Sequence, residues 1–588
     1  MEKSKKLFAK EWHFSFVTQL EKIVARFSRI EKIFFYGITA VFLASGLTLL
    51  YKVNANFLVE IPATGGALTE GVIGTPRFVN PLLAISDADR DLTALLYAGL
   101  LKATPEGNLV PDLAKNYTIS DSGLVYTFTL KDKIFFHDGT PVSADDVVFT
   151  IQKAQDPALK SPKRANWDGI AVEKVDGKTV RLTLKQAYAP FLENATMGIL
   201  PKHLWHNVSA DEFAFSRGNI APVGAGAFRI GEVRTAGGTE APTYFDLVPF
   251  TKYALGAPHL AHLVLRFYGN ETALLSAYRN GEVESVNTIA PEEAKKLAAR
   301  SVRIERSPLP RVFGIFFNQN QSSVLANKEV RTALARVLDK GSIVDGVLAG
   351  YGTVIDGPIP PGLVGNNIDT TTDEWNATTT TARKQSARKI LEKAGWQWNT
   401  AKGVMEKKMG KKDTVPLTFS LTTASTPELA RAAEMIKSAW ESVGAKVELK
   451  IFETGDLNQN VIRTRKYDAL FFGEIVGRNP DLFAFWHSSQ RNDPGLNIAL
   501  YTNIKVDKLL EQARTTSDRE TRNETYKKFE AEINKDIPTV FVYAPDFLYV
   551  LPHGLKGVKI GNVTTPSERF LNVNEWFIET EKVWRIFL

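Results

Sequence analysis

Residues 80–154 read NPLLAISDADRDLTALLYAGLLKATPEGNLVPDLAKNYTISDSGLVYTFTLKDKIFFHDGTPVSADDVVFTIQKA, and the second half of this stretch decides the fold class. VYTFTL at 125–130 has the pattern of a half-buried strand. After the FHDGTP turn, Ser143 followed by Ala144, Asp145 and Asp146 forms an N-cap with acids in the first turn, where negative charge meets the free N–H groups of a helix end. A helix therefore opens there and runs through Val147 and Ile151. Just downstream, IAVEKVDGKTVRLTL at 170–184 is two β-rich runs around Asp176-Gly177, a dipeptide that accepts positive φ, so a tight hairpin is expected. DGKT is not a phosphate loop, because Val172 stands where the motif requires a glycine. Strand and helix signals go on alternating through the chain, which predicts an α/β architecture.

The sequence has 588 residues, 44% hydrophobic and 23% charged, so it exceeds one ordinary domain and two large lobes are expected. No fixed-period repeat or strongly biased segment interrupts it. A net charge of +7 is small at this length, and the basic residues are scattered among 65 acidic ones rather than gathered in a stripe, which argues against a nucleic-acid partner. The absence of cysteine excludes disulfides, thiolate metal sites, cysteine nucleophiles and a lipoprotein-type anchor.

Membrane attachment is expected from another feature. IFFYGITAVFLASGLTLLY at 33–51 carries no charge, and at ~1.5 Å per residue a helix of this length crosses a ~30 Å hydrocarbon layer. Lys22, Arg26, Arg29 and Lys32 crowd its N-terminal side against Lys52 alone on the other, which places residues 1–32 in the cytoplasm and the bulk of the chain outside. The expectation is thus a single-pass protein: a cytoplasmic segment at 1–32, a transmembrane anchor at 33–51 and a linker at 52–65. Leu20, Ile23, Val24, Phe27 and Ile30 recur at helical spacing within the first segment, as in an amphipathic helix on the inner leaflet. The competing reading is a cleaved signal peptide, with Val53 and Ala55 as the small residues before the cut.

No catalytic constellation is present. The histidine pairs His203/His206 and His259/His262 have a spacing of three without the glutamate of HExxH, so surface or structural roles are expected rather than a metal site. The acidic pairs Asp145-Asp146 and Glu292-Glu293 fall at helix starts, which explains them. PVGAGAFRI at 222–230 lacks GxGxxG spacing and reads as a tight turn entering a strand.

The opening stretch, with its NPLL, PDLA, FHDG and TPVSADDV segments, resembles the family 5 extracellular solute-binding proteins of ABC transporters, the group of oligopeptide-, dipeptide- and nickel-binding proteins. Similar segments follow in the same order: PVGAGAFRI, NGEVESV at 280–286, FFNQNQSSVLANKEVRTALARVLDKGSIVDGVLAGYG at 316–352, ARKILEKAGW at 387–396, KYDALFFGEIVGRNPDLF at 466–483 and IPTVFVYAP at 537–545. The resemblance implies a two-lobe clamshell of the periplasmic-binding-protein type II, large peptide-binding variety. Lobe one would span 66–270 with a subdomain inserted at about 97–205, lobe two 271–545, and the chain would return to lobe one at 546–588. It implies capture of a peptide or similar small solute by lobe closure, delivery to an ABC permease, no cofactor and no enzymatic activity. A surface receptor or chaperone that uses the clamshell without a transporter is the alternative.

An extended ligand in such a cleft is held largely by main-chain hydrogen bonds, which side-chain patterns report poorly. The resemblance points to Thr75, Asn318 and the segment around Phe472 and Arg478 as cleft positions. Peptide-binding relatives place an aspartate four residues before the proline of the segment that here reads GEIVGRNP, and that position holds Val476. In a strand, Glu474 shares the face of Val476, so Glu474 is expected to take over the cationic contact and Arg478 to be free for an anionic group.

Overall fold

The computed structural model describes residues 15–235, 242–364, 379–409 and 413–585. Residues 1–14 of the expected amphipathic segment lie outside the described residues. The chain divides into one unit of residues 1–63 with 579–588 and a second of residues 64–578.

In the first unit the helix Arg29–Phe57 starts at a reciprocal cap. The Ser28 hydroxyl accepts the Glu31 N–H and the Glu31 carboxylate accepts the Ser28 N–H. Its stretch Arg29–Asn54 is long and apolar enough to cross a membrane, and Ile33, Phe42 and Leu50 stand exposed along it. A shorter helix, Ser15–Ala25, precedes it. The helix leads directly into the strand Leu58–Pro62, which pairs with Thr580–Trp584.

The second unit contains two lobes because it contains two large hydrophobic cores. One is built from residues between Leu68 and Leu309 together with Phe547 to Trp576, the other from residues between Val312 and Ala544. The strand Thr539–Leu551 belongs to both, and its two less buried residues, Pro545 and Asp546, mark the change. Residues 539–543 pair with Arg311–Phe317 in lobe two, and residues 546–551 pair with Arg303–Pro308 in lobe one. The strand thus passes from lobe two to lobe one at Pro545-Asp546, and because Ser285–Asn287 also pairs with residues 549–550, the outward change of lobes falls at Leu309-Pro310 rather than near residue 270. Ser285–Asn287 is held on both sides, by Ala67–Ile73 and by Thr539–Leu551, partners more than 200 residues away that composition does not encode.

A four-stranded antiparallel sheet in lobe one is formed by Ala114–Ile119, Val125–Leu130, Thr179–Thr183 and Ala171–Lys174, in that order. The expected helix is Ala144–Gln155, capped reciprocally by Ser143 and Asp146. The expected hairpin is also there, by a different device. Gly177 does not adopt positive φ; instead the Asp176 carboxylate accepts the N–H groups of Lys178 and Thr179, both at 2.8 Å.

Two glycine-bearing motifs meet in lobe one. A Cβ on Gly224 would come within 2.0 Å of the Leu96 carbonyl oxygen, so this turn packs against the end of the helix Asp87–Leu96 only as glycine. The half-buried His137 of FHDG sits over it: Nδ1 accepts the Gly224 N–H and Nε2 donates to the Gly226 carbonyl, both at 3.3 Å. Burial pushes this imidazole from 6.5 to about 4 by disfavouring the charged form, and the nearby Arg229 adds to the shift. Between those values the folded state binds fewer protons than the unfolded one, so stability rises with pH. His137 therefore contributes fully above pH 6.5, and up to about 3 kcal/mol is lost as pH falls toward 4. Thermal unfolding across this range is expected to show the loss in the natural chain and a flatter profile in His137→Asn.

One fully buried ionic cluster ties lobe one together. Arg569 donates to Glu70 at 2.7 Å and, through both terminal nitrogens, to Asp91 at 2.8 and 2.6 Å. Glu70 also accepts the Tyr549 hydroxyl at 2.7 Å and the Asn287 amide at 2.9 Å. These residues come from the helix Asp87–Leu96, three strands of the sheet and the C-terminal segment.

Candidate functional site

A cavity of about 410 Å³ lies in the second unit, walled on one side by lobe one. The helix Asp87–Leu96 contributes Arg90 and Thr93, the segment 163–193 Lys163, Trp167 and Glu193, and the C-terminal segment Thr564, Glu568 and Phe570. Arg478, from lobe two, closes it.

Arg478 is 7% exposed at its side chain, and its guanidinium bridges two carboxylates of lobe one. Nη1 lies 3.3 Å from Glu193 and Nη2 lies 2.6 Å from Glu568, which also accepts the Thr564 backbone N–H and hydroxyl at 2.6 Å. Burial pushes the Glu193 carboxyl up; Arg478 opposes that shift and Glu568 adds to it. Beside this clamp, Asp481 of lobe two accepts the Tyr188 hydroxyl at 3.3 Å and pairs with Arg514 at 3.0 Å. Arg514 in turn lies over the rings of Phe483 and Tyr188, 4.4 and 5.4 Å from their centroids. Segments 478–483 of lobe two and 188–193 of lobe one thus fasten the two lobes beside the cavity.

Among the six residues singled out in the sequence, only Arg478 lines this cavity, and it is not free for a ligand anion because Glu193 and Glu568 already neutralise it. Asn318 is 2% exposed and works inside lobe two: its amide donates to the Arg465 carbonyl at 2.9 Å and accepts the N–H groups of Asn320 and Gln321. Thr75 is exposed in the loop after Ala67–Ile73. Phe472 is half-buried on the strand Ala469–Ile475, opposite Gly314. Val476 belongs to the lobe-two core, with its N–H on the Pro310 carbonyl.

Glu474 stands opposite Val312 and is 5% exposed, with no hydrogen-bond partner on Oε1 among the described residues. Burial alone pushes its carboxyl well above the ordinary range by disfavouring the ionised form. The residues missed in the sequence are Glu193, Glu568, Asp481, Tyr188 and Arg514. Glu193 and Arg478 are 285 positions apart, and no local pattern joins them.

Two lobes with separate cores, joined by crossing strands and closed on a cavity by polar contacts, define a solute-binding protein of the clamshell class. A family model described as bacterial extracellular solute-binding proteins, family 5 middle, matches residues 108–495. The oligopeptide-binding protein AppA of Bacillus subtilis is 29% identical over 528 residues, covering 88% of this chain and 92% of that protein. The solved structure of the same protein in complex with a nonapeptide matches at a TM-score of 0.63 with 27% identity, over 88% of this chain and 100% of that one. NikZ from Campylobacter jejuni in complex with Ni(L-His) matches at 0.64 with 26% identity, over 87% and 99%. The chain belongs to the bacterial extracellular solute-binding proteins, family 5; it is a binding component of ABC transport and not an enzyme.

Proposed function

We propose that this chain is a membrane-anchored receptor that captures a peptide or peptide-like solute between its lobes and presents the closed form to an ABC permease. The clamp of Arg478 on Glu193 and Glu568 carries the reading, since it makes closure a defined state that a permease can recognise. The nonapeptide bound by AppA and the nickel–histidine complex bound by NikZ support an amino-acid-based ligand. The helix Arg29–Asn54 supports retention at the membrane.

The test is mass spectrometry of what co-purifies with the full chain, followed by a thermal-shift titration. A true ligand stabilises by RT ln(1 + [L]/Kd), ~2.7 kcal/mol at a hundredfold excess over Kd. Peptides of defined length are the expected finding, and conversion of a bound compound into product counts against it. Glu474 refines the proposal: an ammonium group reaching its unpartnered carboxyl would draw it into the ionised form. With the recovered ligand, Glu474→Gln should weaken binding about thirtyfold, ~2 kcal/mol, in calorimetry. Equal affinities remove Glu474 from the site.

A further inference from the structure

We propose that the two-stranded ribbon of Leu58–Pro62 and Thr580–Trp584 docks in the lipid headgroup layer, as a second membrane contact beside the helix Arg29–Phe57. The proposal rests on the membrane-anchor reading above and adds a lipid-binding surface to it.

Three observations carry it. The first is geometric. The helix runs into the first strand without a linker, and the antiparallel register sets Leu58 against Trp584 and Pro62 against Thr580. The first strand leads away from the helix, so the second leads back to it and brings Trp584 to the helix end. Phe57 and Trp584 meet there as stacked rings 6.4 Å apart. In sequence, Arg585 and then Ile586, Phe587 and Leu588 follow, a cation and three large apolar residues.

The second is the order of polarity. A ribbon solvated on one side separates apolar from polar residues by face, with a period of two. Here the separation runs along the axis. Leu58, Val59, Val583 and Trp584 form the two pairs at the helix end, and Glu60 with Lys582 forms the next pair, 3.8 Å apart. Glu581 and Thr580 continue the polar side, while Ile61 and Pro62 are half-buried. Val59, Phe57 and Trp584 remain 37%, 52% and 44% exposed. An apolar base with an amphipathic indole below a charged collar matches a boundary where water gives way to lipid, which is where Trp residues anchor membrane proteins.

The third is length. The 29-residue helix is about 43 Å long, more than the ~30 Å hydrocarbon layer and close to the ~40–45 Å that includes both headgroup regions. Lys52 marks the outer edge of the charge-free run, and residues 52–57 rise about 9 Å beyond it. Subtracting the ~30 Å core from ~40–45 Å leaves each headgroup layer about 5–8 Å deep, so the ribbon base, with Phe57 and Trp584 stacked there, falls at the outer boundary of that layer.

The chain has no cysteine, so one introduced thiol reports one place. The full chain is reconstituted in phosphatidylcholine/phosphatidylglycerol vesicles with a fluorophore on Val59→Cys, on Val41→Cys in the helix, or on Ile504→Cys, an exposed position of the second unit. Nitroxide lipids labelled near the headgroup or deep in the chain act as quenchers. At position 59 we expect severalfold stronger quenching by the shallow lipid than by the deep one, with the reverse at 41 and none at 504. Adding Trp584→Glu to Val59→Cys should cut the shallow quenching at least twofold. Quenching at 59 that ignores Trp584→Glu reflects the helix alone and overturns the proposal, as does a label at 59 that behaves like 504. A label at 59 shielded from both lipid quenchers and aqueous iodide marks a protein partner and also overturns it. Quenching at 41 without quenching at 59 leaves the anchor standing while the ribbon fails, whereas no quenching at 41 overturns both.

Discussion

Arg569→Met is expected to destabilise the protein by about 3–5 kcal/mol, because it strands two buried acids without their counter-charge. Glu70, Asp91 and Arg569 have side chains at most 1% exposed. Burial pushes the Asp91 carboxyl up to about 6 even with Arg569 pulling against it, so without the guanidinium Asp91 must take up a proton or the lobe must open to water. Methionine fills much of the volume but donates nothing, and Tyr549 and Asn287 would be left bonded to an acid without a cation beside it. Guanidinium unfolding of the natural chain and the variant in one detergent measures the difference. Adding Glu70→Gln and Asp91→Asn should recover a large part of it, since the cost lies in the orphaned charges rather than in lost volume. Equal midpoints for the natural chain and Arg569→Met would falsify this account of the cluster.

The second large effect belongs to Arg478. Removing it in Arg478→Ala leaves Glu193 and Glu568, both of lobe one, without the guanidinium that ties them to lobe two and offsets their like charges. Closure then loses its main polar contact, and affinity for the co-purified ligand is expected to fall roughly thirtyfold, ~2 kcal/mol, with small-angle scattering showing a larger radius for the ligand-free variant. Arg478→Lys should recover only part of this, because an ammonium cannot span both carboxylates as a planar fork does. Unchanged affinity and radius in Arg478→Ala would mean that the Asp481, Tyr188 and Arg514 contacts suffice to hold the lobes.

What the sequence determined by itself was local or motif-borne. The helix at Ser143 was legible because its cap needs only residues 143 and 146, the helix Arg29–Phe57 because an uncharged run needs no partner to declare itself, and the hairpin at Asp176 because a turn closes within four residues. The two-lobe class was legible from an ordered series of motifs spanning most of the chain. Even locally the means could differ, as when a side-chain oxygen of Asp176 replaced the positive φ expected of Gly177. Tertiary structure alone decided which half of the sheet Ser285–Asn287 and Arg303–Pro308 join, and hence where the chain changes lobes. It alone took Asn318 into the interior, left Glu474 Oε1 buried without a hydrogen-bond partner among the described residues and gave Arg478 two carboxylates from distant segments. The physical reason is the range of the interactions. Caps, turns and apolar runs are settled by neighbours a few residues away, whereas the solvation and charge partners of a side chain are set by whatever segment the fold packs against it.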